Sequence, residues 1–298
     1  MSKIFVTGAT GVLGRRVVPR LVDAGHDVTA VARTSAKAAS LTEHGATPAD
    51  VDLFDFDAIR SAVAGHDAIA HLATNIPTGA SAMRKRGWRI NDRLRSESAR
   101  LLSDAAVELG IGRYVQESIT FSYVDRGTDW IGETTEQSFF WGNRTTVDAE
   151  SAAAAVTAVG GAGVVLRFAM FMADDSAHMQ TYAQMADKGL WGLFGDDDSY
   201  MSFVDVDDAA AAVVAALHAP PGVYNIAEAD PRLRGDHRSA LAAAVGRDAL
   251  RTLPLVERLA GAAGEGLARS HRISSEAFRA VTSWEPTGAA LEQWGRLT

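Results

Sequence analysis

A glycine motif near the start of the chain constrains its fold more than any other feature. Residues 7–14 read T-G-A-T-G-V-L-G, directly after Lys3 and the apolar run I-F-V. This order predicts a buried strand, a tight turn and a helix. Gly8 would allow the sharp turn, Gly11 would let phosphate groups approach the backbone, and Gly14 would let helix and strand pack closely. Free amides at a helix start bind anions. The predicted ligand contacts in this loop are Gly8, Thr10, Gly11, Val12, Leu13 and Gly14.

Short β-branched runs alternate with amphipathic segments along the first half of the chain. The predicted strands are residues 3–7, 27–32, 47–50, 68–72, 114–117 and 163–168, and the predicted helices are 11–24, 56–64, 88–109 and 147–159. Strands that alternate with helices in this rhythm form a parallel sheet with helices on both faces. The fold class is therefore α/β, a doubly wound parallel Rossmann sheet, which with the glycine motif predicts a dinucleotide site.

The alternation weakens after Phe168. Residues 174–200 mix methionine, aromatic and acidic residues, and they are followed by a predicted helix at 206–218, a strand at 223–226 and a helix at 238–245. We predict a Rossmann domain over residues 1–172 and a smaller, interleaved C-terminal substrate lobe over 173–298. Within that lobe, residues 201–228 are expected to return to the Rossmann core.

Composition excludes several kinds of partner and site. The chain has 29 Lys and Arg against 37 Asp and Glu, and its net charge of -8 disfavours nucleic acid. The basic run at residues 84–89 is interpreted as a solvated helix face. There is no cysteine and no metal-binding His spacing, so no metal site is expected. With no signal peptide and no apolar span, we expect a cytoplasmic protein without a membrane partner.

The end of the second predicted strand indicates which dinucleotide binds. An NAD-selective site usually places Asp or Glu there for the ribose 2′-hydroxyl. This chain has Arg33 at that position, and a guanidinium suits a 2′-phosphate. NADP(H) is therefore the predicted cofactor, with NAD kept as the alternative.

The motif and several later segments resemble the extended short-chain dehydrogenase/reductase family, the group of nucleotide-sugar epimerases and dehydratases. The family's T-G-x-x-G-x-x-G signature is matched at residues 7–14, and its W-x-x-N helix at 88–91. Similar segments extend over nearly the whole chain, at residues 49–55, 70–74, 165–168, 202–208 and 223–226. The resemblance implies that Asn91 is a structural and proton-relay residue beside the cofactor. The further cofactor contacts implied are Asp52, Leu53, Leu72, Ala73, Thr74 and Phe168.

The family's proton-transfer pair has no counterpart in this sequence. The family uses a Tyr with a Lys four residues later, which lowers the pKa of the Tyr. None of the five tyrosines here has Lys at that spacing. The expected window reads F-F-W-G-N-R-T, so Phe140 or Trp141 takes the Tyr place, and Arg144 does not give up a proton as Lys does. Ser118 and Tyr123, near the end of a strand, are the candidate catalytic residues.

Three functions follow as hypotheses. The first is an NADP(H)-dependent oxidoreductase, or epimerase-like enzyme, acting on a small organic substrate. The second is a non-redox sensor resembling NmrA-like regulators, which also keep the glycine loop and lose the Tyr-Lys pair. The third is a repurposed enzyme that catalyses a cyclisation or elimination. A small-molecule substrate and a homodimer are the expected partners.

Overall fold

The computed structural model describes residues 1–82 and 84–297; Met83 in the predicted Rossmann domain and Thr298 at the end of the predicted lobe lie outside the described residues. The strands are β1 (Lys3–Thr7), β2 (Asp27–Val31), β3 (Thr47–Ala49), β4 (Ala68–His71), β5 (Arg113–Ile119), β6 (Trp130–Ile131), β7 (Ala162–Phe168), β8 (Met170–Met172), β9 (Tyr200–Met201), β10 (Phe203–Asp205), β11 (Gly222–Ile226), β12 (Arg232–Leu233) and β13 (Arg272–Ile273). The helices are α1 (Gly14–Asp23), α2 (Ser35–Glu43), α3 (Phe56–Val63), α4 (Arg89–Arg93), α5 (Ala99–Leu109), α6 (Thr146–Ala158), α7 (Ala177–Asp187), α8 (Val206–Ala216), α9 (Arg234–Ala244), α10 (Pro254–Leu259), α11 (Ala262–Ala268), α12 (Glu276–Val281) and α13 (Ala290–Gln293).

Seven parallel strands form the central sheet in the order β11-β7-β5-β4-β1-β2-β3. Phe5 of β1 pairs with Ile69 of β4 on one side and with Thr29 of β2 on the other. The winding direction of the sheet reverses between β1 and β4, which is where ligands bind in open α/β sheets. The predicted doubly wound parallel Rossmann sheet is confirmed.

Helices cover both faces of the sheet because successive strand residues point to opposite sides. Ile4 and Val6 are buried on the face covered by α1 and α8, and Phe5 and Ile69 on the face covered by α3, α5 and α6. Each fully buried side chain of this size stabilises the fold by roughly 1.5–3 kcal/mol. This two-sided burial holds the carboxyl ends of the strands in fixed positions.

A separate apolar cluster forms the core of the C-terminal part of the chain. The rings of Trp191 and Trp294 lie 6.2 Å apart, and Phe203 packs edge-on against Trp294 at 5.7 Å. Between these residues in the chain, β11 adds to the edge of the main sheet beside β7, and α8 packs against α1. The C-terminal part is thus interleaved with the sheet, while the domain boundary at residue 172 stays a prediction.

Several elements differ from the sequence predictions, and three examples lie in the first half of the chain. Helix α2 was not predicted, because only Leu41 in it is buried and its pattern is weak. The predicted helix at 88–109 consists of α4, a π-helical segment (Leu94–Ser98) and α5. The turn preceding α1 already has helical bonding, since the Arg15 amide donates to the Gly11 carbonyl at 3.1 Å. Among the described helices, none is long and apolar enough to cross a membrane.

Candidate functional site

The glycine loop, residues 8–14, joins β1 to α1 at the point where the sheet reverses direction. Gly8 has a φ of 68°, and a Cβ there would fall 2.5 Å from the carbonyl group of Leu72, so only glycine fits. A Cβ on Gly14 would overlap the carbonyl oxygen of Gly8, because the helix starts directly against the loop. Gly11 is exposed, and a Cβ there would approach only the Gly8 carbonyl oxygen, at 3.3 Å. The loop therefore packs tightly against the sheet at Gly8 and Gly14, whereas at Gly11 its backbone is exposed.

The same loop leaves backbone donors free at the start of α1. Within residues 1–82 and 84–297, the amides of Val12 and Leu13 have no hydrogen-bond acceptor. The first turn of α1 carries no acidic side chain, and Thr10 is half-buried beside Gly11. Unpaired amides at a helix start attract anionic oxygens. The residues of the loop therefore fit a dinucleotide diphosphate.

Asn91 lies beside the loop that follows β4. This loop borders the crevice between β1 and β4, where the sheet reverses direction. Its Oδ1 accepts a hydrogen bond from the Asn75 amide at 3.0 Å. Its Nδ2 is buried and has no hydrogen-bond partner in the part of the chain that the structure describes. Leu72, Ala73 and Thr74 lead from β4 to this contact, with Leu72 packed against Gly8. Leaving a buried donor unpaired costs about 1–3 kcal/mol, so the position suits a polar ligand group.

A buried histidine fixes the strand ends beneath this edge. The Thr7 hydroxyl donates to His71 Nδ1 at 2.6 Å, and His71 Nε2 donates to the Leu94 carbonyl at 3.1 Å. Because a carbonyl only accepts, Nε2 carries the proton and Nδ1 is the acceptor. Burial lowers the pKa of His71 to about 4, which keeps the ring neutral near pH 7. His71 thus links β1, β4 and the π-helical segment.

The residues predicted for the adenosine side lie beyond β2 and β3. Arg33 is exposed, and within the described residues its side chain makes no ion pair or hydrogen bond. Asp52 accepts a hydrogen bond from the Phe54 amide at 3.0 Å, with Leu53 half-buried between them. The Arg93 guanidinium lies 3.7 Å above the Phe54 ring. The turn after β3 is thus held in place, and the Arg33 guanidinium has no partner among the described residues.

Residues 174–178, which we call the strap, connect the two sides of the crevice. Asp175 pairs with Arg15 at 2.7 Å and with Arg16 at 3.1 Å, and Arg16 also donates to the Val12 carbonyl in the glycine loop. At the other end of the strap, His178 lies near the carbonyl of Pro77 in the loop after β4, and burial lowers the pKa of His178. The strap therefore spans from the β1 side of the crevice to the β4 side.

Arg167 brings both predicted catalytic residues into one buried network. The Ser118 hydroxyl donates to Glu150 at 2.7 Å, and Arg167 donates to both Glu150 carboxylate oxygens at 2.8 and 2.6 Å. Arg167 also donates to the Tyr123 oxygen at 2.7 Å, and the Tyr123 hydroxyl donates to Asn225 at 2.7 Å. Burial raises the pKa of Tyr123 to about 12, although Arg167 acts in the opposite direction. The network joins β5, α6, β7 and β11.

Neither hydroxyl reaches the surface of the crevice. Ser118 and Tyr123 both have 0% exposed surface, so proton exchange with a substrate would first have to break their internal hydrogen bonds. Phe168, the predicted cofactor contact at the end of β7, is also buried, in register with Ile119 of β5. The catalytic assignment of Ser118 and Tyr123 stays a prediction.

Aromatic residues occupy the window where the resembled family has its Tyr-Lys pair. Trp141 is half-buried and packs edge-on against Phe140 at 6.0 Å and Trp88 at 6.1 Å. A Cβ on Gly266 of α11 would lie 2.7 Å from the Phe140 ring, so α11 closes tightly over this window. Arg144 is exposed. The window provides packing surface and no proton-donating phenol.

Comparison with known sequences identifies the family. The sequence model of a family described as NAD(P)H-binding matches residues 8–220, which include the glycine loop, the crevice edge and β7. This chain belongs to that NAD(P)H-binding family. A nicotinamide dinucleotide is therefore the supported cofactor of this NAD(P)H-binding protein.

Individual relatives of the NAD(P)H-binding protein are named as redox enzymes. It is 28% identical to the 3-diazoavenalumate denitrifying reductase of Streptomyces sp, over 96% of each chain. It is 29% identical over 85 residues to the decarboxylating sterol-4-alpha-carboxylate 3-dehydrogenase of Dictyostelium discoideum, covering 28% of this chain and 26% of that protein. The chain spans only about a quarter of the length of two of the curated relatives that it matches.

Solved structures agree on the fold. The UDP-glucuronic acid 4-epimerase of Bacillus cereus, solved in complex with NAD, superposes with a TM-score of 0.76 at 17% identity, over 98% of this chain and 96% of that one. The UDP-N-acetylglucosamine 4-epimerase from the same organism gives 0.75 at 20% identity, over 100% and 95% of the two chains. The predicted resemblance to nucleotide-sugar epimerases is confirmed at the level of fold. At 17–20% identity these structures show the fold alone.

Two features of the site were not predicted from sequence. The strap depends on Asp175 meeting Arg15 and Arg16, which are far away in the chain and carry no motif. The network around Arg167 depends on Glu150 and Asn225, one from a helix and one from the opposite edge of the sheet. The signal available in the sequence was a charged Arg167 within an otherwise apolar predicted strand, since a buried charge needs a partner.

Proposed function

We propose that the protein is an NADP(H)-dependent oxidoreductase that acts on a small organic substrate. The observation that carries this proposal is the open glycine loop with free amides at Val12 and Leu13, at the same crevice as the unpaired Arg33. A loop of this kind holds a diphosphate, and a free guanidinium at the end of the second strand suits a 2′-phosphate. The full-length relationship to a protein named as a reductase supports the redox part of the proposal.

The crevice offers a distinct set of groups to each part of the cofactor. The amides of the glycine loop would hold the diphosphate, Arg33 the 2′-phosphate, and the turn at Asp52 and Leu53 the adenine. The unpaired Asn91 Nδ2 and the segment Leu72 to Thr74 would contact the ribose on the nicotinamide side, with Phe168 packing beneath. When bound, the nicotinamide would supply or accept the hydride.

The surroundings of the crevice define what the substrate must satisfy. Trp141 and Phe140 stand where the resembled family has its phenol, so this wall contacts the substrate through rings alone. The strap runs from the start of α1 to the loop after β4, and we infer that it covers the bound cofactor. An apolar or aromatic organic molecule fits this wall better than a highly hydrated one.

A non-redox sensor is the second candidate, and one observation favours it. Ser118 and Tyr123 are held inside the Arg167 network, and Arg144 cannot act as a proton-exchanging Lys. A protein with this site would bind the dinucleotide without consuming it. Its output would be a change of surface or of strap position, read by a partner.

The experiment follows nucleotide content and turnover in the same preparation. Purified protein is denatured and the released nucleotide identified by mass, and fresh protein is then mixed with NADPH and a panel of apolar ketones, aldehydes and aromatic acids while the absorbance of NADPH is recorded. Consumption of NADPH with at least one substrate supports the oxidoreductase. Tight binding with no consumption across the panel favours the sensor. A protein that binds no nucleotide supports neither and leaves the cyclisation or elimination hypothesis.

A further inference from the structure

A second concave surface, which we call the basic groove, lies on the outer side of α4. It has a volume of about 690 Å³ and is lined by five cationic side chains, together with Asp92 and Asp148. The cationic residues come from the segment around α4 and from the start of α6, and they are Lys85, Arg86, Arg89, Arg93 and Arg144. The sequence had suggested that the basic run at residues 84–89 was an ordinary solvated helix face. The run is exposed, and the structure also places Arg144, from a distant segment, in the same groove.

Most of these cationic side chains have no partner in the part of the chain that the structure describes. Within the described residues, Lys85, Arg86, Arg89 and Arg144 form no ion pair and no side-chain hydrogen bond, whereas Arg93 pairs with Glu97 at 2.6 Å. The chain as a whole carries a net charge of -8, so the groove is a positively charged area on a negatively charged protein. Concentrating like charges is unfavourable unless an anion compensates them, and such a patch attracts anions from solution.

The two walls of the basic groove are joined to each other. The Trp88 ring packs edge-on against Trp141 at 6.1 Å, and the Thr145 hydroxyl donates to Asp92 at 3.2 Å. These contacts fix the separation of the segment around α4 from the start of α6. A fixed spacing between cations reduces the ordering cost of binding. A solvated helix face has no second wall and no such cross-links.

The groove and the cofactor crevice lie on opposite sides of α4. Arg89 and Arg93 are four residues apart and share one face of the helix, while Asn91 is about 200° around it. Asn91 faces the loop after β4 through its bond to Asn75. A ligand in the groove is therefore separated from the crevice by the thickness of a helix.

We propose that the basic groove is a second anion-binding site, which takes a small molecule carrying phosphate or carboxylate groups. Guanidinium groups bind both by paired N–H donors, and three arginines in addition to Arg93 line the groove. An extended polyanion fits less well, because Asp92 and Asp148 lie in the same groove and the rest of the surface is acidic. The proposal does not rest on the proposed redox function, because none of the cationic residues of the groove is among the cofactor contacts assigned above.

Calorimetry with two simple probes tests this proposal. Inorganic pyrophosphate and citrate are titrated separately into the protein in phosphate-free buffer, with and without saturating NADP+. We expect saturable binding of at least one probe under both conditions, and the tighter probe shows whether phosphate or carboxylate is preferred. The variant Arg89→Gln/Arg144→Gln should weaken that binding at least tenfold. The control Arg60→Gln/Arg100→Gln removes two exposed arginines outside the groove and should leave it unchanged.

Four outcomes would overturn the proposal. These are no saturable heat with either probe, equal weakening in the control variant, loss of probe binding when NADP+ is present, and much tighter binding of a single-stranded oligonucleotide than of either probe. The thermal midpoint of each variant is measured first, and exposed Arg to Gln changes should leave it within a few degrees. Failure of NADP+ to bind would count against the proposed function alone, because the titration without nucleotide still tests the groove.

Discussion

The α-carbon of Gly14 faces the carbonyl oxygen of Gly8 so closely that no side chain fits between them. This contact sets the first turn of α1 against the end of β1 and aims the free amides of Val12 and Leu13 into the crevice. The packing of α1 on β1 and the anion site therefore both depend on the absence of a side chain at Gly14.

Gly14→Ala should damage stability and nucleotide binding together. The added methyl group overlaps backbone and must push α1 away, at about 1–3 kcal/mol, the usual range for overpacking. We expect a thermal midpoint several degrees lower and at least tenfold weaker NADPH binding, measured by thermal denaturation and fluorescence titration. Gly112→Ala is the matched control, since a Cβ there meets nothing within 4 Å. Wild-type NADPH affinity in Gly14→Ala would show that the loop does not hold the diphosphate.

Tyr123→Phe separates a structural role from a catalytic one. Removing the hydroxyl leaves buried groups on Arg167 and Asn225 without a partner, which costs about 1–3 kcal/mol. Because Tyr123 has no exposed surface, we expect a lower unfolding free energy with kcat reduced by less than about threefold. A general acid contributes roughly 100-fold or more. A loss of kcat of that size at unchanged stability would therefore assign the proton to Tyr123.

The strap predicts how fast the cofactor leaves. Asp175→Asn removes the charge that pairs with Arg15 and Arg16, a partly exposed contact worth up to about 1 kcal/mol. NADPH should dissociate up to about fivefold faster in stopped-flow displacement. Asp104→Asn removes a comparable exposed partner of Arg100 far from the crevice and should leave the rate unchanged. Equal rates in wild type and Asp175→Asn would mean that the strap does not cover the bound cofactor.

Three buried histidines predict loss of stability in acid. Burial lowers the pKa of His71, His237 and His271 to about 4, against 6.5 in the unfolded chain. Their stabilisation is complete above pH 6.5 and is lost as the pH falls toward 4, by on the order of 3 kcal/mol each. Burial raises the pKa of Glu228 to about 7, so this carboxyl adds stability as the pH falls from 7 to 4.5. It is one group acting against three histidines.

Urea denaturation at pH 7.5 and pH 5 measures this effect. The unfolding free energy should be lower at pH 5, and His271→Gln should reduce the difference while His44→Gln, a change at an exposed position, should not. An unfolding free energy that is equal or higher at pH 5 would contradict the assignment of these rings as neutral and buried.

The central strands could be predicted because each is a short apolar run bounded by turn residues. The glycine motif in the sequence predicted the position of the crevice. Helix α2 could not be predicted, because Leu41 alone is buried in it. A single buried residue leaves no periodic pattern in the sequence. The cofactor side of the site could be predicted for the same reason as the fold. The backbone conformation that it needs is set by local residues, Gly8 and Gly14.

The remaining parts of the site depend on contacts between distant segments. Ser118 and Tyr123 resembled catalytic positions in sequence, but their partners Glu150 and Asn225 come from other elements of the fold. The basic groove likewise exists only because Arg144 folds opposite Arg89. Neither the partners of Ser118 and Tyr123 nor the basic groove produce a residue spacing that can be recognised in the sequence.

The most direct measurement is a pair of calorimetric titrations, of NADP+ and NAD+, into wild-type protein and Arg33→Asp. We predict binding of one dinucleotide per chain, with NADP+ at least tenfold tighter than NAD+ in the wild type and that preference lost in the variant. Equal loss of affinity for both nucleotides in Arg33→Asp would contradict the 2′-phosphate assignment. No heat with either nucleotide in the wild type would contradict the account of the glycine loop as a dinucleotide site.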